Sequence, residues 1–384
     1  MRVFISCGET SGDNYAANIV KSATLRDDIQ WYGNGGEQLA DAGAELLFNV
    51  VEHSTIGFIE PLAKIPYFLN VMRKTKRFIK SEHIDAVVII DHQGFNIPLA
   101  KWCKQHHIPV ISFIAPQFWM WGNKASAEKF MHYCQHIFCI FEKEYLYYAQ
   151  IDAAKVSRVD HPLVALLPQR QAEKSSILGV FPGSRIQEIK HCFSTMLAVM
   201  KTIKERYPEI KIELAIASDK IKQFLAPYMD PTLFTITHQG RDLIARAKCS
   251  LVTSGTVSLE HALIKTPCVA IYKLGSLSYF IAASLVLNKI KENCSGFIAL
   301  PNILAERKIC PEFLQSAVTH TNVTNAVDDL LTNKKKHNAV LAEFAQIESR
   351  LVVGKNPFNS IGNYLNTIKT RSAVQSETLQ TDLQ

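Results

Sequence analysis

The sequence predicts an α/β protein made of two doubly wound, Rossmann-like domains that face a cleft. Short apolar runs typical of buried strands alternate with segments whose apolar residues recur at helical spacing. This alternation starts at the N-terminus and begins again near residue 165. The chain of 384 residues is also longer than one hydrophobic core usually supports, so we expect two domains.

The composition is typical of a globular enzyme. Hydrophobic residues make up 47% and charged residues 20% of the chain, and no apolar run reaches membrane-spanning length. Nine cysteines without a CxxC pair favour reduced thiols and a cytoplasmic location. Residues 1–6 are too short for a signal peptide and predict a strand. The net charge of +7 is modest and is compatible with an anionic membrane surface or phosphorylated ligands.

The first domain, predicted over residues 1–167, has polar turns directly after its strands. We predict strands at residues 2–7, 30–33, 86–90, 110–115 and 137–141. The run 86–90 is wholly apolar, which is typical of a central parallel strand. A polar turn at residues 8–13 follows the first strand. The glycine-rich turn after the second strand lacks the GxGxxG dinucleotide pattern because position 38 is Gln38.

The second domain, predicted over residues 168–338, begins with a polar linker at residues 168–176. We predict strands at residues 177–181, 211–216, 234–237 and 249–253, and helices at residues 187–206 and after Thr256. Helical patterns at residues 338–349 and 360–368 are expected to close the fold across residues 339–369. The polar residues 370–384 are expected to be disordered.

The stretch from Cys249 to Ile264 predicts a phosphate-binding unit of strand, turn and helix. Its turn, Ser254-Gly255-Thr256, precedes a helix whose first backbone N–H groups and dipole attract anions. Gly255 lets a ligand approach the backbone, and the two hydroxyl groups add donors. Glu260, one turn further on, is suited to accept hydrogen bonds from a ribose diol. The alternative is the plain N-cap of a core helix.

Another strand end in the second domain carries Gly183-Ser184-Arg185. Arginine is suited to bind a diphosphate because its guanidinium group is planar and always charged. The alternative for Arg185 is a surface salt bridge. Together with the turn at residues 254–256, this motif predicts a site for a nucleotide diphosphate.

Asp91 follows the apolar run 86–90, where an unpaired carboxylate is costly. This position suits a general base that deprotonates a hydroxyl nucleophile. The alternative is a helix N-cap or a turn residue. Glu9 and Glu60 are rival carboxylates, and Glu60 alternatively favours the N-terminus of the helix that follows it.

Two aromatic residues, Trp119 and Trp121, follow a proline and flank Met120. They are suited to hold a sugar or an acyl chain, and the alternative is core packing. Residues 61–80 predict an amphipathic helix whose apolar side is followed by basic residues. Such a helix suits an anionic lipid surface, and the alternative is an ordinary surface helix.

No metal or other cofactor is predicted. His132 and His136 stand four residues apart on a predicted helix face, but the glutamate of an HExxH motif is missing. The sequence also contains no Asp-x-Asp motif, so a metal-bound nucleotide-sugar site is not indicated.

Taken together, these motifs resemble those of the lipid-A-disaccharide synthase family, which are inverting glycosyltransferases with the two-domain GT-B fold. The matching segments are GETSGD at 8–13, GFIE at 57–60, ID…FN at 90–96, WMW at 119–121, HP at 161–162, PGSR at 182–185, SGTVSLE at 254–260 and LPNILA at 300–305. They follow the family's order and cover most of the chain. GETSGD together with LPNILA is specific, whereas SGT…E recurs across GT-B enzymes.

The resemblance implies transfer of 2,3-diacylglucosamine from UDP to the 6-hydroxyl group of 2,3-diacylglucosamine 1-phosphate, which yields a β-1,6 disaccharide 1-phosphate and UDP. It implies Asp91 as the base, with Glu9 and Glu60 in the acceptor-side pocket. The predicted UDP-binding residues are Arg185, Ser254, Gly255, Thr256, Glu260 and Asn302, and the predicted substrate-binding set also contains Gly8, Ser11, Trp119, Trp121 and Ser184. Peripheral association with the inner face of the cytoplasmic membrane, a homodimer exchanging C-terminal segments and no nucleic-acid partner are further implications.

The chain departs from the family pattern mostly on the acceptor side. Residues 90–96 lack the proline and the second aspartate of the pattern IDxPDFN, and the basic residues after residues 119–121 are reduced in number. Two alternatives therefore remain open. One is a UDP-sugar epimerase of similar fold, and the other is a diverged paralogue that binds nucleotide sugar or lipid without turnover.

Overall fold

The computed structural model describes residues 1–23, 29–53, 65–121, 123–168, 176–253, 255–275 and 296–381. The chain divides into two compact units. The first unit comprises Met1–Pro162 and Leu351–Gln384, and the second comprises Leu163–Arg350. Each unit contains one parallel β-sheet with helices, so the predicted α/β class is confirmed.

The sheet of the first unit has its switch point at the first strand. Its strands are β1 (Arg2–Ser6), β2 (Gln30–Gly35), β3 (Glu45–Asn49), β4 (Ala86–Ile90), β5 (Val110–Phe113), β6 (His136–Cys139) and β7 (Val156–Arg158). They are parallel and lie in the order β3-β2-β1-β4-β5-β6-β7, with β1 between β2 and β4. In doubly wound sheets, ligands bind beyond the carboxyl ends of the strands at this point.

The helices of the N-terminal segment follow the strands as a doubly wound fold requires. They are α1 (Thr10–Ala23), α2 (Glu37–Asp41), α3 (Ile65–Ser81), α4 (Gln93–Gln105), α5 (Phe118–Trp121), α6 (Lys124–Tyr133), α7 (Glu142–Asp152) and α8 (Pro162–Leu166). All five residues of β4 are buried, as its apolar sequence predicts. Phe4, Leu99 and Phe130 are among the buried side chains of this core.

The second unit repeats the same topology with six strands. These are β8 (Ile177–Phe181), β9 (Lys211–Ala215), β10 (Thr235–Thr237), β11 (Cys249–Thr253), β12 (Cys268–Tyr272) and β13 (Glu312–Leu314), in the order β10-β9-β8-β11-β12-β13. Here β8 lies between β9 and β11 and marks the switch point. The remaining helices are α9 (Ile186–Arg206), α10 (Asp219–Leu225), α11 (Gly240–Arg246), α12 (Thr256–Ile264), α13 (Leu300–Ala305), α14 (His320–Thr332), α15 (Lys334–Leu351) and α16 (Pro357–Thr381).

Helix α16 returns to the first unit, where it contacts α1. From the sequence, residues 339–369 were expected to form one closing segment, and residues 370–384 were expected to be disordered. The helix continues to Thr381 because no glycine or proline follows Gly362 to end it. No helix in the described part of the chain combines the length and the apolar character needed to span a bilayer.

The prediction that His132 and His136 share a helix face is wrong. Helix α6 ends at Tyr133, and His136 is the first residue of β6. Its Nε2 atom lies 2.9 Å from the Oγ atom of Ser157. Within the described ranges, no group of three or more side chains is arranged to bind a metal ion.

Candidate functional site

The carboxyl end of β4 carries Asp91 in an unusual backbone conformation. Asp91 and His92 have φ angles of 44° and 48°, in the left-handed region that residues other than glycine rarely adopt. Each such residue costs about 1–2 kcal/mol, so surrounding contacts must hold the turn. Asp91 retains solvent-exposed surface. The turn therefore places Asp91, with some of its surface exposed, at the switch point of the sheet.

The buried side chain of Asn96 holds this turn. Its Nδ2 atom donates to the carbonyl oxygens of Asp91 at 2.8 Å and of Ile90 at 3.2 Å. The same atom lies 3.2 Å from the carbonyl oxygen of Ser6, and the Ser6 hydroxyl donates to Asn96 Oδ1 at 2.7 Å. Neither Asn96 nor Ser6 was predicted as a site residue, although Asn96 ends the ID…FN segment that carries part of the resemblance.

The electrostatic surroundings of Asp91 suit a base that works near neutral pH. Desolvation by the surrounding protein and the negative charge of Glu9 raise the pKa of Asp91 to about 6. Glu9 is half-buried in the turn after β1. The structure thus brings together two of the three predicted catalytic carboxylates, and the third, Glu60, lies outside the described residues.

Gly8 is required by the ring of His92, which lies directly against it. A Cβ atom on Gly8 would stand 2.2 Å from His92 Nδ1. The His92 ring also packs near Phe68 and Phe95, at centroid distances of 5.7 Å and 5.8 Å. Burial lowers the pKa of His92, although the charge of Glu9 opposes this shift. Its Nδ1 atom is buried and has no hydrogen-bond partner among the described residues.

The segment at residues 8–13 also contains a structural carboxylate that the sequence analysis did not recognise. Asp13 is buried and accepts hydrogen bonds from the backbone N–H groups of Gly36 (2.7 Å), Gln38 (3.1 Å) and Leu39 (3.3 Å). It therefore anchors the N-terminus of α2. The predicted substrate-binding residue Ser11 is half-buried in the first turn of α1.

Helix α7 holds the loop that leads to Trp119. The buried Glu144 accepts from the N–H groups of Ile140 at 2.8 Å and Phe141 at 3.3 Å, and burial raises its pKa to about 8. The Tyr148 hydroxyl donates to the carbonyl oxygen of Pro116 at 2.6 Å.

Trp119 lies in the short helix α5 and is half-buried, with its ring 6.4 Å from that of Phe141. Its indole N–H is buried without a hydrogen-bond partner in the described ranges. Trp121 ends the same helix, and its side chain lies outside the description.

In the second unit, the turn after β8 places Arg185 at the N-terminus of α9. Gly183 has a φ of 108°, which favours glycine, and Ser184 is exposed. Arg185 Nη1 lies 3.2 Å from Glu188 Oε1, and the side chain of Arg185 is 31% exposed. The structure thus contains the salt bridge that was the alternative for Arg185, and the diphosphate contact stays a prediction.

The turn between β11 and α12 is open to solvent. Gly255 and Thr256 are exposed, and Ser254 lies outside the described residues. Glu260 Oε1 accepts from Arg241 Nε at 3.0 Å. Burial raises the pKa of Glu260, and the charge of Arg241 opposes this shift. Arg241 is a further basic side chain beside this turn that the sequence analysis did not single out.

The side chain of Asn302 is fully buried and is already hydrogen-bonded within the second unit. Its Oδ1 atom accepts from the N–H groups of Ile309 at 2.8 Å and Cys310 at 3.0 Å. Its Nδ2 atom donates to the Cys310 carbonyl oxygen at 3.1 Å and to Glu312 Oε2 at 3.0 Å. These bonds engage both polar atoms of the amide and hold β13 to α13, whereas a contact between Asn302 and UDP stays a prediction.

Comparisons with known proteins agree with this architecture. Residues 3–355 match the family described as lipid-A-disaccharide synthetase. A lipid-A-disaccharide synthase of Coxiella burnetii is 30% identical over 366 residues, which cover 91% of this chain and 94% of that protein. The S. aureus MnaA–UDP co-structure has a TM-score of 0.62 at 10% identity and covers 95% of this chain and 97% of its own. CalG4, the calicheamicin glycosyltransferase, has a TM-score of 0.59 at 12% identity, with 97% and 99% covered. At these identities the two solved structures show the fold alone.

Proposed function

The chain belongs to the lipid-A-disaccharide synthase family and is therefore a glycosyltransferase, and from this premise we propose how its residues perform the reaction. The enzyme transfers 2,3-diacylglucosamine from UDP to the 6-hydroxyl group of 2,3-diacylglucosamine 1-phosphate. The products are the β-1,6 disaccharide 1-phosphate and UDP. The observation that carries the proposal is the position of Asp91 at the switch point of the first sheet, where surrounding protein raises the pKa of its carboxyl group.

Asp91 acts as the general base. It accepts the proton of the acceptor 6-hydroxyl as that oxygen forms a bond to the anomeric carbon of the donor sugar. The bond between this carbon and the UDP oxygen breaks at the same time, and UDP leaves with the electron pair. This single displacement inverts the anomeric centre. Desolvation and then the charge of Glu9 raise the pKa of Asp91, so it is more basic than an isolated aspartate.

The second unit binds the UDP part of the donor. Arg185 and the N-termini of α9 and α12 stabilise the negative charge that develops on the diphosphate. The contacts are assigned to Arg185, Ser184, Ser254, Gly255 and Thr256, with Glu260 on the ribose hydroxyl groups. The S. aureus MnaA–UDP co-structure contains UDP on a protein of the same fold, which supports a nucleotide ligand for this architecture.

The acceptor side is assigned to Gly8, Ser11, Glu60, Trp119 and Trp121, next to a lipid-facing helix. In α3, Ile65 and Leu69 are 46% and 60% exposed. Arg73 and Arg77 are exposed and follow Ile65 and Leu69 at the same spacing of four residues, so all four side chains lie on one side of the helix. We propose that this face rests on the inner leaflet of the cytoplasmic membrane. The homodimer remains a prediction.

Vesicle binding tests this face directly. Replacing Arg73 and Arg77 by glutamine should weaken binding to anionic vesicles at low salt by about 1 kcal/mol per charge. A matched control replaces Lys220 and Lys222, which are exposed on α10, by glutamine and removes the same net charge. Equal weakening by both variants would contradict a specific membrane face.

The reaction itself is tested with the purified protein and both lipid substrates. A transferase releases UDP when the acylated acceptor is present and forms disaccharide in equal amount. An epimerase would change the sugar without acceptor and without net release of UDP. A non-catalytic paralogue would bind the donor and release nothing.

A further inference from the structure

We propose that Asn96, supported by Ser6, is a positioning residue that holds the Asp91 carboxylate where the acceptor hydroxyl group is deprotonated. This inference rests on the proposed role of Asp91 as the base. Asn96 does not touch substrate in this account. It acts through the backbone of residues 90–92.

The first argument is the strain of the turn. Two consecutive residues, Asp91 and His92, have positive φ angles, and neither is glycine. Such a pair persists where the surrounding structure determines it. If Asp91 returned to a negative φ, its Cβ would point in a different direction and the carboxylate would move with it. The position of the base is therefore set by whatever holds the backbone.

The second argument is that Asn96 contacts the strained peptide itself. Its Nδ2 atom donates to the Asp91 carbonyl oxygen at 2.8 Å and to the preceding Ile90 carbonyl oxygen at 3.2 Å. Ser6 fixes the orientation of the amide, because its hydroxyl donates to Asn96 Oδ1 at 2.7 Å. Both side chains are fully buried, so water does not readily replace these bonds.

The third argument is the place of the pair in the fold. Ser6 is the last residue of β1, and Asn96 lies in the first turn of α4, which follows β4. These two strands are neighbours at the switch point of the sheet. The bond between the two side chains thus ties the turn that carries Asp91 to the strand that leads to Glu9. The buried Asn96 amide therefore supports the backbone that carries Asp91 and the strand end that precedes Glu9.

The experiment compares Asn96→Ala with a control that removes a similar buried amide elsewhere. Asn34 is the last residue but one of β2 and donates from Nδ2 to Thr75 Oγ1 at 2.8 Å, and its side chain forms no hydrogen bond with residues 90–92 in the described structure. Asn96→Ala should lower kcat by roughly 10- to 100-fold, since misplacement of a reacting group by about 1 Å costs this much. The KM for the donor and the Kd for UDP should stay within about twofold of wild type. Asn34→Ala should lower the Tm to a similar extent and leave kcat within the same limits.

The pH profile separates positioning from simple loss of stability. When the turn relaxes, the Asp91 carboxylate gains solvent, and the acidic limb of the kcat profile should move to lower pH. Ser6→Ala is the milder variant if Asn96→Ala does not fold. It should lower kcat by about 2- to 5-fold, with a shift of the acidic limb in the same direction. A folded Asn96→Ala or Ser6→Ala enzyme with the wild-type kcat and pH profile would overturn the proposal.

A double-variant cycle distinguishes this inference from the function on which it rests. In an Asp91→Asn background, Asn96→Ala should reduce the residual kcat by less than about twofold, because its effect passes through Asp91. If Asn96→Ala also lowers the residual kcat of Asp91→Asn by about 10- to 100-fold, Asn96 acts on another group and the inference is overturned. If Asp91→Asn alone keeps wild-type activity, the assignment of the base fails instead.

Discussion

The turn after β4 and the turn after β11 occupy equivalent places in the two sheets, yet they are built in opposite ways. Each follows a buried strand next to the switch strand and leads directly into a helix. The first is held by the buried Asn96 amide and by the ring of His92. The second is open, since a Cβ atom added to Gly255 would meet no atom within 4 Å.

Under the proposed roles of Asp91 and residues 254–256, this difference matches what a base and a diphosphate site each require. A base must be placed accurately before the substrate arrives, so its turn is fixed by side chains at the cost of backbone strain. A diphosphate is bound by backbone N–H groups and an arginine, so its turn needs access rather than packing. Substitutions in the closed turn should therefore affect kcat, and those near the open turn should affect donor binding.

The largest effect is expected from Asp91→Asn, which keeps the shape of the side chain and removes its basicity. We expect kcat to fall by about 10²- to 10⁴-fold, with the UDP Kd nearly unchanged because the second unit is not altered. Steady-state kinetics and UDP titration on the same sample, with a thermal melt, provide the measurement. A stable variant with more than about a tenth of the wild-type kcat would transfer the role to Glu9 or Glu60.

The opposite pattern is expected from Arg185→Ala. Loss of a charge-assisted contact with phosphate costs about 1.5–3 kcal/mol, so kcat/KM for the donor should fall by roughly 10- to 150-fold with any acceptor. Arg206→Ala is the matched control, because Arg206 lies in the last turn of the same helix, 3.4 Å from Asp328. Equal kcat/KM values for the two variants would contradict a role for Arg185 in donor binding.

The activity should also depend on pH in a defined direction. Asp91 must be ionised to accept a proton, and its pKa is raised to about 6 by desolvation and by Glu9. The kcat should therefore be constant above this value and fall as the pH decreases through it, to about a tenth of the plateau one unit lower. Glu9→Gln removes a charge that raises the pKa, so the acidic limb should move to lower pH. An unchanged limb would assign it to another group.

The smallest effect is expected from Gly8→Ala, which tests the packing of the closed turn. The new methyl group would displace the His92 ring, and we expect the free energy of unfolding to fall by about 1–3 kcal/mol. The kcat should fall a few-fold as the adjoining Asp91 moves. Gly94→Ala is the control in the neighbouring helix, where an added Cβ meets no atom within 4 Å. Its stability should be unchanged or higher by about 0.5–1 kcal/mol, and the reverse ranking would contradict the packing argument.

Much of the fold was predictable because its signals are local. The apolar runs at residues 86–90 and 177–181 match β4 and β8 at both ends, since a central parallel strand is buried on both faces. The short strands β7 and β13 were missed because three residues give too little pattern. Strands β3 and β12 were not predicted either, although the sequence of β12 is mostly apolar.

Part of the candidate site followed from the sequence for the same reason. Polar residues directly after a buried strand lie at the carboxyl edge of the sheet, whichever strands are neighbours. Asp91, Arg185 and Gly255 could therefore be placed at strand ends from sequence alone. The role of each neighbouring side chain could not be predicted from the sequence, because it depends on which atoms come into contact after folding.

Three buried residues show this limit. Asp13 accepts from the backbone of residues 36–39, and the Asn302 amide bonds Cys310 and Glu312. Asn96 bonds Ser6. None of these contacts could be predicted from the sequence alone. Asn96 and Ser6 are 90 positions apart in the chain and meet because β1 and β4 pair in the sheet. The sequence thus determined where polar groups emerge from the strands, through local periodicity. The tertiary structure decided which of them remain available to a substrate, because most buried donors and acceptors pair with another group within the fold.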